Sequence, residues 1–193
     1  MDKKVKKEDL RVKKTIYSIK ETFIELVEQN GFKNVTVSQI TKKANINRNT
    51  FYLHYTDIED LANKIISDVS FELLDNLKKF SYISKMTLNE ITEIEMRWGF
   101  RSILNFLEKD MELYRIYLID ERLKNYIDSL FSMIKRYLAL MLNIRNPRSN
   151  VVFEYAFSGM VGIFNQWILY STASINDIAK TLAKLTYSAL QQL

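Results

Sequence analysis

The 193-residue sequence has no cysteine, a single histidine, a single proline and four glycines. Without cysteine there are no disulfides and no thiolate metal ligands. With His54 as the only imidazole, a metal centre would rest on carboxylates alone, a donor set for hard cations rather than for zinc or copper. Neither a metal nor a cofactor is expected. The sequence offers no glycine-rich phosphate loop, and its lone histidine leaves no Ser/His/Asp or Cys/His set, so it does not read as an enzyme. Scarce proline and glycine leave little to interrupt long helices.

Further absences concern membranes. Lys3, Lys4, Lys6 and Lys7 have no apolar stretch behind them, so the N-terminus does not read as a signal peptide. Residues 155–176, YAFSGMVGIFNQWILYSTASIN, contain no charge and are long enough to span a bilayer. However, Asn165 and Gln166 sit in the middle, and Ser158, Ser171, Thr172 and Ser174 dilute the hydrophobicity. Phe153, Ala156, Met160, Ile163 and Trp167 recur at helical spacing, the pattern of a helix buried against protein. A soluble, cytoplasmic protein with no membrane span is the expectation.

Hydrophobic residues make up 47% of the chain and charged residues 26%, ordinary values for a globular protein with a substantial core. The net charge of +5 is uneven: residues 1–56 hold 12 Lys/Arg against 6 Asp/Glu, whereas residues 57–193 hold 16 against 17. A basic head over 1–56 joined to a near-neutral body over 57–193 fits a polyanion-binding module on a different kind of domain. On charge alone, a lysine-rich solvated tail is the competing explanation.

The periodicity is helical throughout. Ile16, Ile19, Phe23 and Leu26/Val27 follow the 3.6-residue repeat, and Gly31 supplies a stop, which predicts a helix over 10–30. Thr36-Val-Ser-Gln39 reads as a capping box opening a short helix to Ala44. Asn45 tolerates the left-handed backbone of a tight turn, and Asn47 can cap a second short helix over 48–54. Thr56-Asp-Ile-Glu59 reads as another capping box, opening a helix over 57–80. Further helices are predicted over 88–107, 110–118, 121–143, 150–171 and 176–192, and no convincing alternating strand occurs. The fold class is therefore all-α, with about nine helices: a small N-terminal three-helix unit and a larger bundle.

Two short helices joined by a tight turn form a helix-turn-helix, whose second helix can enter the DNA major groove. The stretch NRNTFYLHYTDIEDL, residues 47–61, supplies that second helix. Ile40, Ala44, Ile46 and Phe51 are the apolar positions that hold the pair together. Arg48, Asn49, Thr50, Tyr52 and His54 then remain as donors suited to base edges and phosphates. The competing role for His54 is a buried, hydrogen-bonded imidazole. Tyr55 reads as core, and Lys42 and Lys43 read equally well as solvated.

With its preceding Val35, the run from Thr36 to Leu61, VTVSQITKKANINRNTFYLHYTDIEDL, resembles the DNA-binding signature of TetR-family regulators, and the resemblance is specific over residues 12–70. The matching features are Thr before the first short helix, Ile-x-x-x-Ala within it, Thr-Phe-Tyr-x-His-Tyr, and Asp-x-Glu-Asp-Leu. Asn45 stands where glycine is usual, and Ile58 where a phosphate-contacting lysine is common. The resemblance implies phosphate contacts from Thr36, Tyr52 and His54 and base readout by Ser38, Arg48, Asn49 and Thr50. It further implies a transcriptional regulator, most often a repressor, that binds a palindromic double-stranded DNA operator as a homodimer through its last two long helices. Ser158, Gly159 and Gly162 agree with close helix approach at such an interface; the competing explanation is that they make room for a bulky neighbour such as Trp98. Family members commonly hold a small-molecule effector in the bundle. Trp98, Arg101, Tyr114, Tyr117, Tyr126 and Phe131 are candidates to line a mostly apolar pocket. A regulator or activator controlled by a protein partner is the alternative.

Overall fold

The computed structural model describes residues 2–78, 91–144 and 147–191, with side chains from residue 10 onward except 147–149. Among the described residues all regular structure is helical: α1 (Asp2–Asn30), a 3-10 turn (Phe32–Asn34), α2 (Val37–Lys43), α3 (Arg48–Tyr52), α4 (Ile58–Lys78), α5 (Glu93–Glu108), α6 (Met111–Ile119), α7 (Lys124–Met141), α8 (Pro147–Tyr170) and α9 (Ile175–Leu190). The all-α expectation and its nine helices are met. The predicted helix ends at 79–80, 88–90 and 192 lie outside the described residues. No helix among the described residues is long and apolar enough to cross a membrane.

The chain divides into two compact units, Met1–Ser67 with Ile116–Tyr126, and Asp68–Arg115 with Ile127–Leu193. In the first unit α1 packs on the 3-10 turn and on α2, and α2 packs on α3. Ile19, Phe23, Ile40, Phe51, Leu61 and Ala62 have no exposed surface, and Phe23 meets Phe32 edge-to-face at 6.1 Å. Gly31 ends α1 at φ 73°, a left-handed conformation that an L side chain adopts only under strain. Ile58, at the position where a lysine is common, is 8% exposed and belongs to this core.

The segment 116–126 joins this unit through polar bonds as well as apolar ones. The Tyr117 hydroxyl donates to the Ala62 carbonyl at 2.7 Å. The Phe32 N–H donates to Asp120 Oδ2 at 2.9 Å, while Asp120 Oδ1 accepts from the Arg122 N–H at 3.0 Å. One carboxylate thus bridges a turn next to α1 and the start of the loop leading to α7. Burial pushes the Tyr117 phenol far above its ordinary range, with Tyr126 adding to the effect, so it stays a donor.

In the second unit α9 packs chiefly on α5 and then on α8. α5 opens on a capping box, in which Thr92 accepts from Glu95 N and the Glu95 side chain returns to the Thr92 backbone. At the other end of α8 the Arg115 guanidinium donates to the Ile168 carbonyl at 3.2 Å. A cation there satisfies a last-turn carbonyl and opposes the negative end of the helix dipole.

Candidate nucleic-acid interface

The two short helices of the first unit are defined by their caps. Thr36 accepts the Gln39 N–H while the Gln39 side chain takes the Thr36 N–H, closing the expected capping box. Asn45 makes the turn at φ 53°, so asparagine does here what glycine does more often. The Asn47 side chain then accepts the Asn49 N–H at 2.8 Å, fixing the start of α3.

The expected Thr56–Glu59 capping box is replaced by bonds to the Asp57 and Asp60 carboxylates. Asp57, not Thr56, accepts the Asp60 N–H, at 2.7 Å, and Asp60 Oδ2 accepts the Thr56 N–H at 2.9 Å. Two ionised acceptors take over a role that the sequence pattern gives to Thr56 and Glu59, because carboxylates form the stronger bonds to backbone N–H groups. The Thr56 N–H, followed by the nearby Lys64, holds the Asp60 carboxyl below its usual range.

Phe51 is the only residue of α3 that is buried. Its ring lies 5.6 Å from Tyr52 at a right angle and 5.5 Å from the buried Tyr55. Around it, Arg48 and Asn49 are exposed, Thr50 is half-buried, and Tyr52 is 50% exposed. Ser38 on α2 is exposed as well. These five donors therefore lie on or next to one short, capped element. Thr36 differs: its hydroxyl donates to Gln39 Oε1 at 2.8 Å, so its proton is already used within the cap. The His54 imidazole is half-buried and 6.2 Å from the Tyr55 ring, with no side-chain hydrogen bond among the described residues. At the end of α2, Lys43 pairs with Glu25 of α1, leaving it tied to α1. Sequence reasoning passed over Leu53, which is 80% exposed next to Tyr52, because an apolar residue at that spacing reads as core.

The six candidate pocket residues are divided between the two units. Tyr117 and Tyr126 belong to the first unit, their rings 6.4 Å apart. In the second unit Trp98 is 68% exposed on α5 and Arg101 is exposed too. Tyr114 is buried, its phenol pushed well above the ordinary range by burial and then by Asp110 and Glu72. Phe131 lines an open groove of about 360 Å³ between α7 and α8, with Asp128, Ser132, Lys135, Phe157, Ser158 and Val161. Elsewhere in this unit Arg115 Nε and Asn165 Oδ1 are buried without a partner among the described residues.

α8 also carries an exposed, uncharged stripe: Val151, Tyr155, Ser158, Gly159, Gly162, Gln166 and Tyr170. A Cβ built on Gly159 or Gly162 would meet nothing within 4 Å. Among the described residues, therefore, the glycines do not make room for Trp98 or any other neighbour.

Residues 21–65 match the family model described as "Bacterial regulatory proteins, tetR family". The HTH-type transcriptional regulator YxbF of Bacillus subtilis is 35% identical over 88 residues, 45% of this chain and 23% of that protein. The dhaKLM operon transcriptional activator DhaS of Lactococcus lactis is 25% identical over 122 residues, 61% of this chain and 58% of DhaS. The chain thus spans less than two thirds of either relative. Among solved structures, the transcriptional regulator FadR of Bacillus subtilis, in complex with stearoyl-CoA, superposes with a TM-score of 0.68 at 15% identity, covering 90% of this chain and 98% of FadR. That likeness establishes a common fold.

Proposed function

We propose that the chain is a transcriptional regulator of the TetR family, whose model its residues 21–65 match, and that it binds a palindromic operator as a homodimer, represses transcription there in the cytoplasm, and is released by a mostly apolar small molecule. The observation that carries the DNA reading is α3, one buried aromatic surrounded by Arg48, Asn49, Thr50 and Tyr52 with their donors free. Arg48 and Asn49 suit bidentate contacts to guanine and adenine, with Ser38 and Thr50 beside them. Tyr52 and His54 are assigned to phosphates, which position the head without reading sequence; Thr36 joins them when its hydroxyl turns from Gln39 Oε1 to a phosphate oxygen. The dimer reading rests on the uncharged α8 stripe, where small residues permit close approach. For the effector, Arg115 Nε and Asn165 Oδ1 are a buried donor and a buried acceptor without partners among the described residues, and FadR, with the same fold, binds stearoyl-CoA.

One observation favours a second reading, a regulator or activator worked by a protein partner. Ile94, Arg97, Trp98 and Arg101 are all exposed on α5, and tryptophan and arginine dominate the energetics of protein interfaces. The relative DhaS is an activator by name. A ligand screen separates the two readings, and Trp167, 4% exposed, is a better fluorescent reporter for it than the exposed Trp98.

The DNA reading is tested by selecting bound fragments from genomic DNA with the purified protein. Selected fragments are expected to share an inverted repeat. About six to eight phosphate contacts across the dimer give a log–log slope of affinity against salt of about −5 to −7. A slope near zero, or equal affinity for unrelated duplexes at moderate salt, overturns it.

Two substitutions in α3 are expected to fail in different ways. Arg48→Ala weakens operator binding by about 1–3 kcal/mol and relaxes preference at one base pair per half-site. Tyr52→Phe weakens binding to all duplexes alike, because the lost hydroxyl contact carries no sequence information. Binding-site selection with each variant reads the difference, and an unchanged base preference in Arg48→Ala would remove Arg48 from the base readers.

A further inference from the structure

α3 has five residues, too few for its own hydrogen bonds to keep it helical. Its start is fixed by the Asn47 cap and its middle by Phe51. Beyond Tyr52 the chain makes one last turn, with the Leu53 N–H on the Asn49 carbonyl and the His54 and Tyr55 N–H groups on the Phe51 carbonyl, and this exit leads to α4 at Ile58. Tyr52 and His54, two of the three residues assigned to phosphates, sit at that exit. Whatever holds it sets their reach.

Lys64, in the second turn of α4, adds side-chain contacts to those backbone bonds. Its ammonium donates to the His54 carbonyl at 2.7 Å, lies 3.4 Å from Asp60 Oδ2, and stands 5.4 Å from the centroid of the Tyr55 ring. The same Asp60 oxygen accepts the Thr56 N–H. The Lys64–Asp60 pair therefore touches three consecutive residues of the exit: a carbonyl at 54, a ring at 55 and an N–H at 56. An ammonium has three donors and no acceptor, and here the neighbouring carbonyl and carboxylate already engage it.

Building on the DNA-recognition reading, we infer that Lys64 is a positioning residue: it ties the exit of the recognition helix to α4, and so aims Tyr52 and His54, without itself meeting DNA. The arrangement explains how a five-residue helix keeps one orientation although Ile58, buried, contributes no cation at the start of α4.

The test uses the full chain with Lys64→Met, which keeps the apolar stem, and Lys64→Arg, which keeps the charge. The lysine side chain is 52% exposed, so both variants are expected to fold. In the free protein, hydrogen exchange at the Tyr55 and Thr56 amides is expected to accelerate in Lys64→Met and to stay near wild type in Lys64→Arg. Affinity for the selected operator is expected to fall roughly five- to twentyfold in Lys64→Met, the loss of one charge-assisted bond, with the salt slope unchanged, and to recover in Lys64→Arg. A salt slope shallower by about 2 in Lys64→Met would mean one phosphate contact per half-site and would overturn the positioning role. So would wild-type exchange and affinity in Lys64→Met. If the wild-type chain selects no duplex at all, the DNA reading fails, while the exchange measurement still decides whether Lys64 restrains the exit.

Discussion

Phe51→Ala is expected to destabilise the first unit by about 3–5 kcal/mol and to abolish operator binding. Phe51 has no exposed surface and is the sole buried residue of α3, so its truncation empties the one site by which that helix is plugged into the unit. The rings of Tyr52 and Tyr55, each within 6 Å of it, lose their packing partner together. A small domain has a total stability of about 5–15 kcal/mol, so the loss takes up about a fifth of it or more. Denaturant unfolding followed by far-ultraviolet circular dichroism measures the change. Trp98 and Trp167 both belong to the second unit, so tryptophan fluorescence provides an independent trace that the substitution should leave nearly unmoved. A loss under about 1 kcal/mol would mean that the site closes over the gap, and that Phe51 is not what anchors α3.

Gly162→Leu is expected to have opposite effects on the chain and on its assembly. Within one chain a Cβ at this position meets nothing within 4 Å, and leucine has a higher helix propensity than glycine by nearly 1 kcal/mol. The isolated chain should therefore be as stable as wild type or slightly more so. At a close helix–helix contact between two copies, the added side chain overpacks by about 1–3 kcal/mol on each side of a symmetric interface, which the same residue meets twice. Sedimentation is expected to show folded monomer at concentrations where the wild type is dimeric, with operator affinity lost and the thermal midpoint no longer dependent on protein concentration. A dimer of normal affinity would place Gly162 outside the interface; a chain that unfolds would contradict the open surroundings of its Cα.

Much of the fold was legible in the sequence because its signals are local. Asn45 lies next to a helix end where only a residue tolerant of positive φ fits, and Gly31 follows a clean apolar repeat. Thr36 and Gln39 stand at capping-box spacing. Most described helix boundaries came within a few residues for the same reason, but α1 starts at Asp2, eight residues before the predicted start at 10, because the apolar repeat marks only the stretch that packs and not the polar turns before it. The Thr56 cap was misplaced because two adjacent residues can accept the same N–H groups, and only the geometry shows that Asp57 and Asp60 take them. The exposed aromatic Trp98 could not be told from core, since a helix repeat says which residues share a face but not whether that face is covered. Lys64 and Asp120 were invisible for a different reason. Each acts through a backbone group of another segment, His54 or Phe32, and a bond between a side chain and a distant backbone leaves no periodicity to read.

The contribution of residues 116–126 to the N-terminal unit has a consequence for synthesis. Chains emerge from the ribosome N-terminus first, and domains generally fold as units, at about 5–20 residues per second of elongation. When residue 67 is made, the unit still lacks the Asp120 carboxylate for the Phe32 N–H and the Tyr117 hydroxyl that caps the Ala62 carbonyl. It also lacks Tyr117 and Leu123 themselves, neither of which has any exposed surface in the finished structure. Elongation from 67 to 126 occupies roughly 3–12 seconds at that rate, far longer than helix formation or hydrophobic collapse requires. During that interval the nascent head carries its basic helices with an open apolar side. Exposed apolar surface of this kind is prone to aggregate, so completion of the head waits on the end of α6 and the segment after it, residues 116–126.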